Sequence, residues 1–176
     1  GYFEMESQLV VKVRGLIVMA NQAVVPHAAV LAETAPERLR ELYRQNVRAL
    51  VFIALPTMTL LFAWAGGASW LLIGDYRAEF VAILGLLALA WGANIFCGPA
   101  YFINLGSGRV GWNTLSHIVM GATNAGFGWA LGTVYGPTGV IAAYAFALIA
   151  GSAVLIVAFQ RQHALNWRLG LGNEHG

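Results

Sequence analysis

Charge is scarce in this sequence. Asp, Glu, Lys and Arg make up only 10% of its 176 residues, where a soluble domain usually carries about a quarter. With 59% hydrophobic residues, a chain of this length cannot hide its apolar side chains in a core of its own, and lipid is the simpler solvent. Cysteine is nearly absent: Cys97 stands alone, which excludes an intrachain disulfide. The four histidines are scattered, two of them near the C-terminal tail, so no ligand set for a metal is visible and no cofactor is expected. HExxH, GxSxG, a Walker loop and CxxC are all missing. The carboxylates lie at segment boundaries and in loops, never paired at hydrocarbon depth, so general acid–base chemistry has no candidates and an enzyme is not expected. The ten Lys and Arg residues, for a net charge of +2, form no large basic patch interleaved with aromatics, which speaks against nucleic acid. The opening GYFEMES has no basic n-region of a signal peptide.

What is abundant is long apolar sequence. Five segments stand out: about 3–31, 47–73, 78–105, 110–134 and 138–159. Each is long enough to cross a hydrocarbon core of roughly 30 Å, which takes about 20 helical residues. Their length and lack of strict alternation exclude barrel strands. The expected fold is therefore all-α, a polytopic transmembrane bundle of five spans with a cytoplasmic tail over 161–176. Between the first two segments lies the one strongly charged block, AETAPERLRELYRQN. Thr34 and Glu37 have capping-box spacing. Leu39, Leu42 and Tyr43 make an apolar stripe beside Arg38, Arg40 and Arg44, so a short amphipathic helix at the interface is expected over about 35–46. GDYRAE, GSGR and YGPTG are the turns that follow, with Pro137 placed to start a helix.

The arginines orient this arrangement. If the segments alternate, Arg38, Arg40, Arg44, Arg48, Arg109, Arg161 and Arg168 share one side, and Arg77 alone takes the other, beside Asp75 and Glu79. By the positive-inside rule the first side is cytoplasmic. Trp70, Tyr76, Phe80 and Tyr135 then form part of an aromatic belt at the outer boundary. An odd number of spans with an external start, and Gly1 where a methionine would open a gene product, fit a partial chain with further spans upstream.

Polar residues inside the apolar segments are the candidate functional groups. Arg14 lies about 9 Å below the outer end of segment one at 1.5 Å per residue. Ser7, Arg14 and Asn21 are seven apart and share a helix face. Lys12 points about 200° away from Arg14 and is shallow enough to snorkel. Arg14 itself either faces an internal cavity or snorkels too. Asn113, His117 and Asn124 share an arc of segment four, and segment three offers Asn94, Tyr101 and Asn104. Each Asn can equally be helix-to-helix glue, and His117 a hydrogen-bonded bundle histidine. Pro26, Pro56 and Pro99 interrupt three segments. Small-residue pairs, Ala122 with Gly126 and Gly128 with Gly132, permit close helix contact.

The stretches GYFEMESQLVVKVRGLIVMANQAVVPHAAVL, ERLRELYRQNVRALVFIALP, GANIFCGPAYFINLGSGR and NAGFGWALGTVYGPTGVIAAYAFALI together resemble the C-terminal half of polysaccharide flippases. These are members of the multidrug/oligosaccharidyl-lipid/polysaccharide exporter superfamily. The resemblance implies a two-lobed bundle, of which this chain is part of one lobe and lacks the N-terminal lobe. It implies translocation of an anionic lipid-linked oligosaccharide or polysaccharide precursor across the bacterial inner membrane, for lipopolysaccharide, capsule or exopolysaccharide. A cationic central cavity is usual in such proteins, which places Arg14, Lys12, Asn21, Asn94, Asn113, His117 and Asn124 in the candidate substrate-binding set. A buried arginine can grip a phosphate through two parallel hydrogen bonds. The alternative from another class is a structural or assembly subunit of a membrane complex.

Overall fold

The computed structural model describes Gly15, Met19 and residues 22–163. Among these residues every regular element is a helix. Helix α1 spans Val24–Thr34 and a 3-10 turn spans Pro36–Arg38. Then come α2, Leu39–Ala63, α3, Ala65–Ile73, α4, Ala78–Phe96, and α5, Gly98–Gly106. The last, α6, covers Gly111–Gln162. Three helical stretches, Pro36–Ala63, Ala78–Gly106 and Gly111–Gln162, are long and apolar enough to cross a membrane. This is the helix pattern of a multi-pass membrane protein.

Helix α6 is two helices in one. Gly136 sits at φ 61, ψ −144, a backbone region that is essentially open to glycine alone. The chain reverses there, and Pro137, whose fixed φ suits a first helical turn, begins the second arm. The arms, residues 111–135 and 137–162, lie antiparallel. Ser116 Oγ donates to the Gly151 carbonyl at 2.8 Å, and the Phe127 and Phe146 rings meet at 5.2 Å. The second arm and α4 supply much of the main core, with Leu84, Leu87, Ala88, Ile141, Ala145 and Leu148 buried together. Helix α2 packs across α4. Gly85 and Gly92 leave room there for Phe62 and Met58, whose atoms lie 3.1 and 3.8 Å from where a Cβ would stand.

Several boundaries differ from the sequence expectation, each for a local reason. The charged block is not a separate interfacial helix. A 3-10 turn opens it and its remainder forms the first turns of α2, which runs on through Asn46 and Val47 unbroken. Asn46 does not interrupt the helix because its Nδ2 donates back to the Leu42 carbonyl at 2.7 Å. The expected stripe is present: Leu39, Leu42 and Tyr43 are buried while Arg38, Arg40 and Arg44 are exposed. The capping box does not form. Thr34 is still helical and its hydroxyl donates to the Val30 carbonyl at 2.8 Å. Pro56 lies within continuous α2; it leaves the Phe52 carbonyl without its helical donor but does not end the helix, and apolar helices tolerate such prolines. The break comes instead at Trp64, ahead of the Gly66–Gly67 pair, with the Trp64 indole Nε1 2.9 Å from where a Cβ on Gly67 would stand. Pro99 does mark a break: α4 stops at Phe96 and α5 starts at Gly98.

The helix ends gather at two opposite ends of the bundle. At one end the Tyr43 ring lies 4.7 Å from Phe159, Phe159 stacks on His163 at 4.2 Å, and Leu39, Ala100, Ile103 and Leu155 join the same buried cluster. The start of α2, the end of α5 and the end of α6 therefore meet. At the other end, Gly74 closes α3 in the left-handed conformation (φ 81). Ser69 Oγ there donates to the Asp75 carbonyl at 2.8 Å and accepts the Arg77 N–H at 2.9 Å. Trp70, Tyr76 and Tyr135 are exposed, as an aromatic belt needs. Phe80 is not part of it: at 1% exposure it is a core side chain, because the first turn of α4 already packs on its neighbours.

Candidate functional site

The described polar residues of the apolar helices fall into two groups, one inside the bundle and one on its surface. Inside, Asn94 of α4 donates through Nδ2 to Ser152 Oγ of the second α6 arm at 3.1 Å and approaches Cys97 Sγ at 3.8 Å. Asn113, 4% exposed, donates through Nδ2 to the Tyr101 carbonyl at 3.0 Å and accepts from Asn104 Nδ2 at 3.1 Å. The Tyr101 carbonyl belongs to the short helix that follows the Pro99 break. These amides tie α4 and α5 to the two arms of α6. Asn104 is fully buried and its Oδ1 has no partner, an acceptor whose isolation in apolar surroundings is costly.

On the surface, the first arm of α6 carries a distinct face. Thr114, His117, Gly121, Asn124 and Gly128 are spaced three and four apart and so line one side of the helix. The first four are exposed and Gly128 is half-buried. The Tyr101 ring meets the His117 imidazole edge-on at 5.8 Å. Leu115, Ile118, Ala122 and Trp129 point to the neighbouring side and are exposed too, with Trp129 at 77%. The arm thus has three faces: one packed on its partner arm, one apolar and one small and polar. An open groove of about 370 Å³ lies elsewhere, at the α2–α3 junction, lined by Thr57, Leu60, Leu61, Ala63 and Trp64. It is apolar and converges no charged groups.

The sequence set therefore divides. Asn94 and Asn113 are brought into the buried network. His117 and Asn124 are brought onto one exposed face. Arg14, Lys12 and Asn21 lie outside the described residues. Ser116 and Ser152 were missed in the sequence. Ser116 sits three residues from Asn113 and could have been grouped with it by spacing. Ser152 carries no local signal, since its partner Asn94 is far away in the chain. Among the described residues no three His, Cys, Asp or Glu side chains come together as a metal site.

Electrostatics concentrate at the arginine end. His163 caps α6 and is 8% exposed. Its Nδ1 pairs with the Phe159 carbonyl at 3.0 Å, which fixes the N–H on that nitrogen. Burial pushes the imidazole pKa below its ordinary 6.5. The Phe159 carbonyl opposes that shift, and the nearby Arg109 and Arg40 guanidiniums add to it. Arg40 comes from the start of α2 and Arg109 from the α5–α6 turn, so two separate pieces of chain bring cations towards the end of α6. Compared with known proteins, the chain matches no family description, no characterised protein and no solved structure.

Proposed function

We propose that this chain is part of a membrane transporter that moves an anionic lipid-linked oligosaccharide or polysaccharide precursor across the bacterial cytoplasmic membrane for cell-surface polysaccharide synthesis. The observation that carries the reading is the exposed polar face of α6, with His117 and Asn124 at its centre. Polar side chains at hydrocarbon depth are costly against lipid and mark water-filled routes or protein contacts. In this reading the five apolar segments cross the membrane five times, with the arginine end cytoplasmic. A second lobe, absent from this chain, closes over the α6 face. From the sequence, Arg14 of segment one is the candidate cation for the substrate, since a guanidinium fork suits a pyrophosphate. No bond is made or broken, so hydrogen-bond donors and positive charge along an enclosed path are the chemistry required. The likeness of the sequence to polysaccharide flippases supplies the substrate class.

The test is complementation of a flippase-null strain with the native full-length protein. His117→Leu combined with Asn124→Leu should cut glycan export at least about tenfold, the loss of roughly 1.4 kcal/mol, at unchanged membrane levels. Trp129→Leu on the apolar side should leave export intact. Wild-type export by the double variant, at normal abundance, refutes the reading. A second reading, a structural subunit of a membrane complex, draws on the same face: Gly121 and Gly128 have nothing within 4 Å of a Cβ position, room that a partner helix could fill. Under that reading Gly121→Leu releases a partner from the purified complex while export continues.

A further inference from the structure

From the convergence of Arg40 and Arg109 we infer a binding site at the cytoplasmic end for the phosphate headgroup of an anionic phospholipid from the surrounding leaflet. It stands apart from the transport reading and uses none of the residues of the α6 polar face. Three observations carry it. The first is geometric. The cluster of Leu39, Tyr43, Ala100, Ile103, Leu155 and Phe159, with Trp112 packed against it, draws together the start of α2, helix α5, the start of α6 and its C-terminal end. Arg40 follows Leu39 and Arg109 lies three residues before Trp112, so both cations stand at the rim of this one cluster, near the buried His163 imidazole. The second is the lack of a counter-charge. Glu33, Glu37 and Glu41 share this end, but among the described residues no carboxylate pairs with Arg40 or Arg109, and Glu41 instead accepts from Gln45 at 3.0 Å. By contrast the lone arginine of the opposite end, Arg77, has Asp75 at 3.9 Å. Two cations held near one another repel, and an anion between them removes that repulsion.

The third observation selects the occupant. Arg109 is followed by Val110 and preceded, one turn back, by Leu105, and both are exposed apolar side chains. A ligand on these arginines therefore has greasy surface beside it. Free inorganic phosphate would leave that surface bare. A phospholipid matches both parts, phosphate on the guanidiniums and acyl chain along Leu105, Val110 and exposed Leu115. Basic pockets on the cytoplasmic side of helix bundles are suited to such headgroups. Arginine also suits phosphate better than lysine, because its fork donates two parallel hydrogen bonds.

The experiment reads which lipids stay with the native full-length protein. It is reconstituted in nanodiscs of equal phosphatidylglycerol and phosphatidylcholine, released, and analysed by native mass spectrometry. Wild type should retain phosphatidylglycerol over phosphatidylcholine by about thirtyfold, from two arginines at about 1 kcal/mol each. R40Q/R109Q should bring the ratio close to one. R38Q/R161Q, which removes the same charge from the same end, should keep most of the preference. Inorganic phosphate in the buffer should not abolish it. A wild-type ratio near one overturns the site, and so does equal loss in the two double variants, which would mean a diffuse charged face. Loss of the preference on adding phosphate overturns the lipid as occupant. The wild-type ratio needs no variant to fold, so a ratio near one overturns the site even if R40Q/R109Q does not accumulate.

Discussion

Replacing Gly151 by alanine sets two opposed effects against each other at one atom. Alanine is the better helix former, by about 1 kcal/mol in a helix interior. At Gly151, however, a Cβ would run into Met120 Cγ, stand 2.8 Å from Met120 Cε and 2.9 Å from the Ser116 carbonyl oxygen. Met120 is half-exposed and can swing aside. The Ser116 carbonyl is helix backbone and cannot, so the two arms of α6 must move apart. Overpacking of this kind costs about 1–3 kcal/mol. Separation also strains the Ser116–Gly151 hydrogen bond of 2.8 Å, a class of contact worth about 0.6 kcal/mol in membrane proteins. The clash outweighs the propensity gain by about 1–2 kcal/mol. At about 2–4 °C per kcal/mol for a chain of this size, G151A should lower the apparent Tm by about 2–8 °C. The assay is survival of the monodisperse peak of a fluorescent-protein fusion in detergent after heating. S116A removes only the hydroxyl and should cost about 1–2 °C. G126A makes the same change on the same helix where nothing lies within 4 Å, and should melt at or above wild type. If G151A melts no lower than wild type, or no lower than S116A, the close approach of the arms is not what holds the hairpin.

Three further outcomes follow from other contacts. G136A places a Cβ at φ 61, ψ −144 and should cost about 1–3 kcal/mol, read as a lower apparent Tm; an unchanged value would mean that the reversal is made elsewhere. His163 has a folded pKa below 6.5, so the unfolded chain binds its proton first. Stability is then highest above about pH 6.5 and falls as the pH drops through that value towards the folded pKa. The groups facing the imidazole are Arg40, Arg109 and Phe159, and none of them titrates in this range, so H163Q should flatten the Tm-versus-pH curve between 7 and 5. An equal slope in H163Q removes His163 as its source. Asn94→Leu should lose about 0.6 kcal/mol for the Ser152 bond, and S152A should add nothing further in the double variant if the two groups act as a pair.

The parts of this fold that the sequence announced are those written in punctuation. YGPTG marks the reversal of α6 because glycine and proline are needed there for opposite reasons, one for a positive φ and one for a fixed negative φ. The bounds of the 78–105 segment agree to within one residue with the ends of α4 and α5, since GDYRAE and GSGR bracket them. The stripe of Leu39, Leu42 and Tyr43 could be read from its period. What stayed illegible had no local sign. A membrane boundary is not a helix boundary, so nothing at Asn46–Val47 stops α2. Pro56 looked like a break because its missing N–H is visible in sequence, whereas the packing that carries α2 through it is not. Phe80 reads the same whether it faces headgroups or a core, and only the packing of α4 decides. For the candidate site, helical spacing put Asn113, His117 and Asn124 on one arc, but only His117 and Asn124 share the exposed face and Asn113 is buried; which polar residues turn inward depends on partners elsewhere in the chain, as Ser152 does for Asn94.

The tip of the α6 hairpin bears on how such a chain enters a membrane at all. Tyr135, Gly136 and Pro137 carry no charge, whereas the other connection at that end, residues 74–79, holds Asp75, Arg77 and Glu79. Carrying an ionised side chain through hydrocarbon costs several kcal/mol, and an aromatic, a glycine and a proline avoid that barrier. The last two arms can therefore enter as one closed hairpin, already hydrogen-bonded to each other, with the tip sinking through the bilayer ahead of them. In the five-span reading the Tyr135 ring would meet the far headgroups, where amphipathic aromatics settle, with Arg109 and Arg161 at the near surface. That arrangement would fix insertion depth from both leaflets.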